Sequence, residues 1–319
     1  MAQDRGPKVL ISSAGRRAAL VGAFRDAGAG SIHACDLDPG LSSACQLADA
    51  AHAVPRCDGP GFVEAVGDIV RRHGIRLIVP TIDTELSAYA GAAAALAEAG
   101  AFVHVSDPAT VAVVRDKHRT MQVLGAAGVP VPDTCDETGL RADPARLDWP
   151  VFAKPAGGSA SRGLAVYRAP EDLPETFPEP MIFQTLLSGP EYTVNIFLDR
   201  AGTLRCAIPH LRIQTRAGEV EKGRTERRAD LAAVAAGVAA ALPGARGALC
   251  FQVIDDPRHG PRVFEVNARF GGGYPLAHHA GARFADWLLD ELDGRACRAH
   301  DDWRDGVTML RYDDAVFVG

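Results

Sequence analysis

The segment Arg262-Val-Phe-Glu-Val-Asn-Ala-Arg-Phe-Gly-Gly-Gly273 decides how this chain is read. Successive side chains of a β-strand point to opposite faces. Phe264, Val266 and Ala268 are therefore expected in a core, and Glu265, Asn267 and Arg269 in a row on the other face. A carboxylate, an amide oxygen and a guanidinium are costly to bury unpaired. Around a metal–phosphate cluster they make sense. Mg²⁺ takes hard oxygen ligands, which Glu265 and Asn267 supply, and Arg269 would face a transferring phosphoryl group. The preceding strand, Ala248-Leu-Cys-Phe-Gln-Val-Ile-Asp255, carries one polar residue among apolar ones. An antiparallel pairing would bring that residue, Gln252, beside Glu265 as a third oxygen ligand. The plainer alternative is a solvated strand face of mixed polarity.

Upstream, Phe152-Ala-Lys-Pro-Ala-Gly-Gly-Ser-Ala-Ser-Arg-Gly163 reads as a strand, a lysine and a Gly/Ser loop. Glycines let backbone N–H groups approach phosphate oxygens. Gly157, Gly158 and Ser159 are candidates for that contact, with Lys154 as a point charge at the loop entry. The pattern is neither a Walker A loop nor a G-x-G-x-x-G turn. In Ile182-Phe-Gln-Thr-Leu-Leu-Ser-Gly-Pro-Glu-Tyr192, Leu186 and Glu191 flank a turn, where an adenine slot and a ribose acceptor would sit. Lys117 lies in a stretch, residues 109–127, that reads as one helix. The chain has only four lysines among 34 basic residues, Lys8, Lys117, Lys154 and Lys222. Lys117 and Lys154 fall within these segments, and Lys222 within the candidate substrate segment considered below.

Strand and helix signals alternate over the first hundred residues, which implies a parallel sheet with helices on both faces. From about residue 149 short strands dominate, and the reading becomes α+β with a largely antiparallel core. Residues 308–318 read as a closing hairpin. The net charge of −6 excludes a general basic field for nucleic acid. No apolar run approaches the roughly 20 residues of a membrane span. The N-terminus lacks a signal-peptide pattern, so a cytoplasmic location is expected. Seven cysteines without a CxxC pair point to free thiols rather than disulfides or zinc.

In this order the motifs resemble the ATP-grasp superfamily, and closely the branch similar to one half of the carbamoyl-phosphate synthase large subunit. The resemblance runs from VLISSAGRR and LIVPTIDTE through DKHRT, GVPVPDT, FAKPAGGSASRG, FQTLLSGPEY and FEVNARFGGG to LRYDDAVFV. It implies an ATP-grasp fold with an N-terminal Rossmann-like pre-grasp domain. The units are expected at residues 1–107, 108–182 (small lobe with a glycine lid) and 183–319 (large lobe with the metal site). It also implies ATP and Mg²⁺, usually two ions, with Mn²⁺ as an alternative. Lys117, Lys154 and the loop would contact ATP, Gln184 and Leu186 the adenine, and Glu191 the ribose. Gln252, Glu265 and Asn267 would bind metal. The implied reaction is acyl-phosphate formation followed by capture with an amine, from an amino-acid-like substrate. A homodimer is an option, since such enzymes often dimerise. The chain is long enough for only one such half, which argues against carbamoyl phosphate as product.

The other readings are a kinase or carboxylase with the same ATP site, a nucleotide-binding protein without chemistry, and a nicotinamide enzyme, whose glycine fingerprint is missing. For the substrate, His210, Arg212, Lys222 and Arg224 offer cations to a carboxylate or acyl phosphate. Arg212 and Lys222 are the preferred pair. A charged hairpin tip is the alternative, because Arg216, Glu219, Glu221 and Glu226 nearby read as surface. His278 and His279 follow the glycine run in an expected loop and could hold a base. Asp83 and Glu85, at a strand end, would receive an amine or cap a helix. Gly15-Arg16-Arg17 reads as a plain turn and helix start.

Overall fold

The computed structural model describes residues 6–157 and 163–319. Elements are numbered in chain order. The first unit holds β1 (Lys8–Ser12), α1 (Ala18–Asp26), β2 (Ser31–Asp36), α2 (Ser43–Leu47), β3 (Ala50–Ala53), α3 (Phe62–His73), β4 (Leu77–Pro80), α4 (Leu86–Glu98) and β5 (Phe102–Val103). Its five strands are parallel, in the order β3-β2-β1-β4-β5. β1 is apolar and covered on both faces: Val9 and Ile11 join one core cluster, Leu10 the other. The chain leaves β1 toward β2 and later returns to β1's other side as β4. The carboxyl ends of β1 and β4 thus form a topological switch point, the favoured place for a ligand crevice in such sheets.

Residues 109–127 are not one helix. α5 (Pro108–Arg115) and α6 (Lys117–Ala126) are separated at Asp116, which has φ −110° and ψ 108°. The Asp116 side chain accepts from Arg119 N at 3.0 Å, so a second N-cap competes with helix continuation. Lys117 is thereby placed in the first turn of α6, and its backbone N donates to Ala156 O at 3.0 Å.

A second, antiparallel sheet contains β6 (Thr134–Asp136), β7 (Val151–Pro155), β8 (Ala165–Tyr167) and β9 (Met181–Thr185) in the order β6-β9-β7-β8, with α7 (Glu137–Ala142) beside β6. β6 and α7 have no clear signal in the sequence. The expected boundary at 182/183 falls inside β9, which pairs wholly within this sheet.

The third sheet is built from β10 (Glu191–Leu198), β11 (Leu204–Arg216), β12 (Glu219–Thr225), β13 (Gly247–Asp256), β14 (Gly260–Asn267) and β15 (Thr308–Leu310), ordered β14-β13-β10-β11-β12-β15. All its pairings are antiparallel. α8 (Ala229–Ala241), α9 (Tyr274–Ala280) and α10 (Phe284–Leu292) complete the unit. Two expectations change here. The C-terminal hairpin is a single short strand paired to β12, and the run after the glycines is helix α9 rather than loop. Pro275 in the first turn of α9 starts that helix well, because the amide it lacks would have no partner there anyway.

One core cluster runs through the first and third units. Phe24 of α1 meets Phe270 edge-on at 6.0 Å, and Phe270 packs on Tyr274 at 4.7 Å. Burying a side chain of this size contributes roughly 1.5–3 kcal/mol. The contact fixes the last turn of α1 against the loop that follows β14. No helix among the described residues is long and apolar enough to cross a membrane, and all seven cysteines are free thiols.

Candidate active site

A cleft of about 850 Å³ opens where the three sheets meet. That is near the upper end for small-molecule sites and leaves room for more than one ligand. Seven cationic side chains and four carboxylates line it among the described residues, a positive surface in a chain of net charge −6. The expected ligand is anionic.

The β13–β14 pairing sets the centre of the cleft. Gln252 is directly opposite Glu265, and Cys250 opposite Asn267. A register shift between Gln252 and Val253 makes Val263, not Phe264, the partner of Val253. This bulge turns Val263 into the core and Phe264 out to the cleft, against simple alternation. The displaced phenyl ring has a use. Lys154 Nζ lies 5.3 Å from its centroid and donates to Phe264 O at 2.8 Å. Burial pulls the Lys154 pKa down to about 8, opposed by Glu265 and aided by Lys117. Lys117 Nζ lies 3.8 Å from Glu265 Oε1. Both lysines thus converge on one carboxylate, although one comes from α6 and the other from β7.

Arg269 is held by Asp83, which follows β4, at 2.6 Å, and by Asn267 Oδ1 at 3.0 Å. Burial is the largest single influence and works against its charge, yet Asp83, Cys250 and Glu265 together outweigh it and the guanidinium's pKa is raised. Glu85 does not reach the cleft. Its buried carboxylate accepts from Ser12 and Ser13 hydroxyls and from the backbone of Thr81 and Ile82, at 2.6–3.1 Å. That network shapes the turn presenting Asp83.

On the nucleotide side, Gln184, Leu186 and Glu191 line the cleft. Gln184 is 2% exposed and donates to Thr134 Oγ1 at 2.9 Å. Burial pushes the Glu191 pKa up, against the pull of Arg212, whose Nε lies 3.1 Å from Glu191 Oε1. Gly157 ends the described part of its loop and is exposed, while Gly158 and Ser159 lie outside the described residues.

The expected substrate cations separate. Arg212 lines the cleft, but its terminal nitrogens are engaged by Thr193 Oγ1 at 3.2 Å, Gly218 O at 2.9 Å and Gln252 Oε1 at 3.1 Å, while its buried Nε faces Glu191 without a hydrogen bond. With its amide oriented to satisfy both neighbours, Gln252 donates to Glu265 Oε2 at 3.1 Å. Its oxygen therefore faces a guanidinium and must turn over to serve a cation. Lys222 is exposed on β12 and does not line the cleft. The register shift between Gln214 and Thr215 interrupts alternation along β12, burying Val220 and Gly223 and leaving Lys222 exposed, which a loop reading could not reveal. Arg224 is exposed and pairs with Glu226 at 2.7 Å. His210 is fully buried beside Asn195, and burial lowers its pKa to about 3. His278 is tied to Tyr274 at 3.1 Å within α9, and neither His278 nor His279 lines the cleft.

The sequence reading missed one group. Arg16, Arg17 and Glu219 line the cleft, and Arg311 reaches them from the C-terminal segment. A turn after the first strand of a parallel sheet is a signal for Arg16 and Arg17. Nothing local marks Glu219, which reads as surface, or Arg311.

The described oxygen set fits a hard divalent cation in its chemistry. Glu265 and Asn267 present oxygens to the cleft from alternate positions of one strand, and Gln252 supplies a third after reorientation. They form no cluster of three or more His, Cys, Asp or Glu among the described residues, as expected where phosphate and water complete the shell.

Residues 9–105 match the family model of the PylC-like N-terminal domain. Residues 177–315 match the model of the ATP-grasp in the biosynthetic pathway with Ter operon. A formate-dependent phosphoribosylglycinamide formyltransferase of Synechococcus sp. (strain CC9605) is 31% identical over 46% of this chain and 36% of its own length. A D-alanine–D-alanine ligase of Laribacter hongkongensis is 35% identical over 28% of this chain and 32% of its own. The chain thus spans about a third of the length of these curated relatives. The biotin carboxylase domain of Hydrogenobacter thermophilus 2-oxoglutarate carboxylase, solved with MgADP, ADP and bicarbonate, superposes with a TM-score of 0.75. It is 18% identical and covers 95% of this chain and 73% of that one, a likeness of fold. The chain thus has an ATP-grasp fold, with residues 9–105 similar to the PylC-like N-terminal domain and residues 177–315 similar to an ATP-grasp domain.

Proposed function

We propose that this protein is a Mg²⁺- and ATP-dependent carboxylate–amine ligase acting on an amino-acid-like substrate through an acyl phosphate. The observation that carries the reading is the convergence of Lys117, Lys154, Asn267 and Arg269 around Glu265 in one positive cleft. An ATP-binding protein without chemistry has no need of an arginine anchored by Asp83 at that point.

In this reading Lys117 and Lys154 hold the ATP phosphates, Gln184 and the Leu186 backbone meet the adenine, and Glu191, paired with Arg212 through Oε1, accepts from the ribose. Glu265 and Asn267, with Gln252 turned over, would hold the cation, which neutralises phosphate oxygens when bound. The substrate carboxylate attacks the γ-phosphorus and ADP leaves. Arg269 stabilises the charge that builds on the transferring oxygens. The amine then attacks the acyl carbon, loses its proton and releases phosphate. Arg212 acts as a positioning residue, spanning Glu191, Thr193 and Gln252. Lys222 takes no part.

The test is ADP and phosphate release from Mg²⁺-ATP with amino acids offered singly and in pairs, with Glu265→Gln as control. Release that requires one acid–amine pair and vanishes in the control supports the ligase. ATP binding without release for any pair favours a nucleotide-binding protein.

A further inference from the structure

The first sheet's switch point brings a second charged group to the far end of the cleft from the lysines. Glu219 at the start of β12 is met by three guanidiniums: Arg16 at 3.3 Å, Arg17 at 3.2 Å and Arg311 at 3.2 Å. Arg16 and Arg17 follow β1, and Arg311 follows β15, so the cluster joins the first unit, the third sheet and the C-terminal segment. Arg17, Arg311 and Glu219 are 20%, 29% and 23% exposed and only partly reached by water, whereas Arg16 at 63% is solvated. Arg17 and Arg311 share one carboxylate in a half-dry place and leave a surplus of positive charge there, to which the exposed Arg16 adds. Such a surplus is unfavourable alone and is relieved by an anion. The Arg17 pKa bears this out: burial lowers it, and Arg269 and Arg311 add to the lowering against Glu219.

Geometry links the cluster to the reacting end. Gly272, five residues past the last strand position shared with Asn267's row, is wedged between them. A Cβ there would lie 2.9 Å from Glu219 Oε1 and 3.1 Å from Arg17 Nη1. Arg311 donates to Gly272 O. Arg17 thus stands across the glycine loop from Arg269. A molecule reacting at Arg269 reaches Arg17 without leaving the cleft.

We propose that Arg16, Arg17 and Arg311, oriented by Glu219, form a subsite for a second carboxylate, one that is not activated, on a substrate of the proposed ligase. Planar guanidinium forks match a carboxylate two oxygens at a time. The nucleotide phosphates are served by Lys117 and Lys154 elsewhere. The inference rests on the ligase reading for its substrate and on the cluster's own geometry for its anion. The carboxylate can belong to an amino-acid acceptor or to a dicarboxylic donor.

Two measurements on the full chain separate these points. In the first, turnover is compared for each active amino-acid acceptor against its carboxamide, and for each dicarboxylic donor against its monoamide. One of the two arms loses tenfold or more in kcat/KM, and Arg17→Met or Arg311→Met removes that discrimination. Loss in the acceptor arm assigns the subsite to the amine partner, and loss in the donor arm to the acid. Indifference in both arms, with turnover intact, overturns the subsite and leaves the ligase standing. In the second, acetate is titrated against the MgADP-filled protein and its stabilising effect on thermal unfolding is read. Acetate stabilises the wild type, acetamide does not, and Arg17→Met and Arg311→Met each weaken the effect about tenfold or more. Acetate binding that survives both substitutions lies elsewhere and overturns the subsite. Acetate binding lost in both, with no turnover for any pair, keeps the subsite and counts against the ligase.

Discussion

Asp83→Asn probes the join between the first unit and β14. Asp83 and Arg269 meet at 2.6 Å with side-chain exposures of 15% and 14%, so neither charge is well solvated. The substitution keeps the side chain's size and removes its charge. Arg269 is then left with the neutral oxygens of Asn267 and Phe270. Removing one partner of a buried pair typically costs 3–5 kcal/mol. The remaining hydrogen bonds and the open cleft place this case at the low end, about 3 kcal/mol. The assay is urea unfolding at pH 7 without nucleotide, run as a cycle with Arg269→Met and the double variant. Coupling of about 2 kcal/mol or more is expected, because the two residues are in direct contact. A cost for Asp83→Asn below about 1 kcal/mol, with additive single effects, is the range of a screened surface pair. It would refute the claim that Asp83 anchors Arg269 in a poorly solvated place.

Three further outcomes follow from the geometry. Because burial holds the Lys154 pKa at about 8, ADP affinity should be flat below pH 7 and fall about tenfold per unit well above pH 8; calorimetric titration from pH 6.5 to 9.5 reads it, and Lys154→Arg should remove the fall. His104 is 2% exposed, and burial lowers its pKa from 6.5 to about 4. Above pH 6.5 folded and unfolded chains both hold it neutral; between 6.5 and about 4 only the unfolded chain takes up the proton. Stability should therefore decline as pH falls through that window, by up to about 1.4 kcal/mol per unit from this residue, and level off below it; denaturant unfolding at pH 7, 5.5 and 4.5 checks the slope. In Gly273→Ala the new methyl would lie 2.5 Å from His210 Nε2, a fully buried ring with no room to retreat. A loss of about 1–3 kcal/mol in unfolding free energy is expected, and an unchanged midpoint would show that the loop yields.

Local chemistry was enough to read much of this chain. Alternation of apolar and polar residues located β13 and β14, and Glu265 and Asn267 marked a polar strand face before any fold was known, with Arg269 two residues past the strand's end. The opposition of Gln252 and Glu265 followed from two adjacent antiparallel strands. Tertiary structure decided what depends on distant partners. The bulge that sends Phe264 to the cleft is a property of a strand pair, since either strand alone looks regular. The split at Asp116 pits a cap against helix propensity, and the cap wins where Lys117 N also finds Ala156 O. Lys222 and Glu219 lie three residues apart in equally charged sequence, yet one is exposed and the other faces three arginines. Charge alone cannot distinguish them, because which one meets a partner depends on where residues 16, 17 and 311 are carried by the rest of the chain.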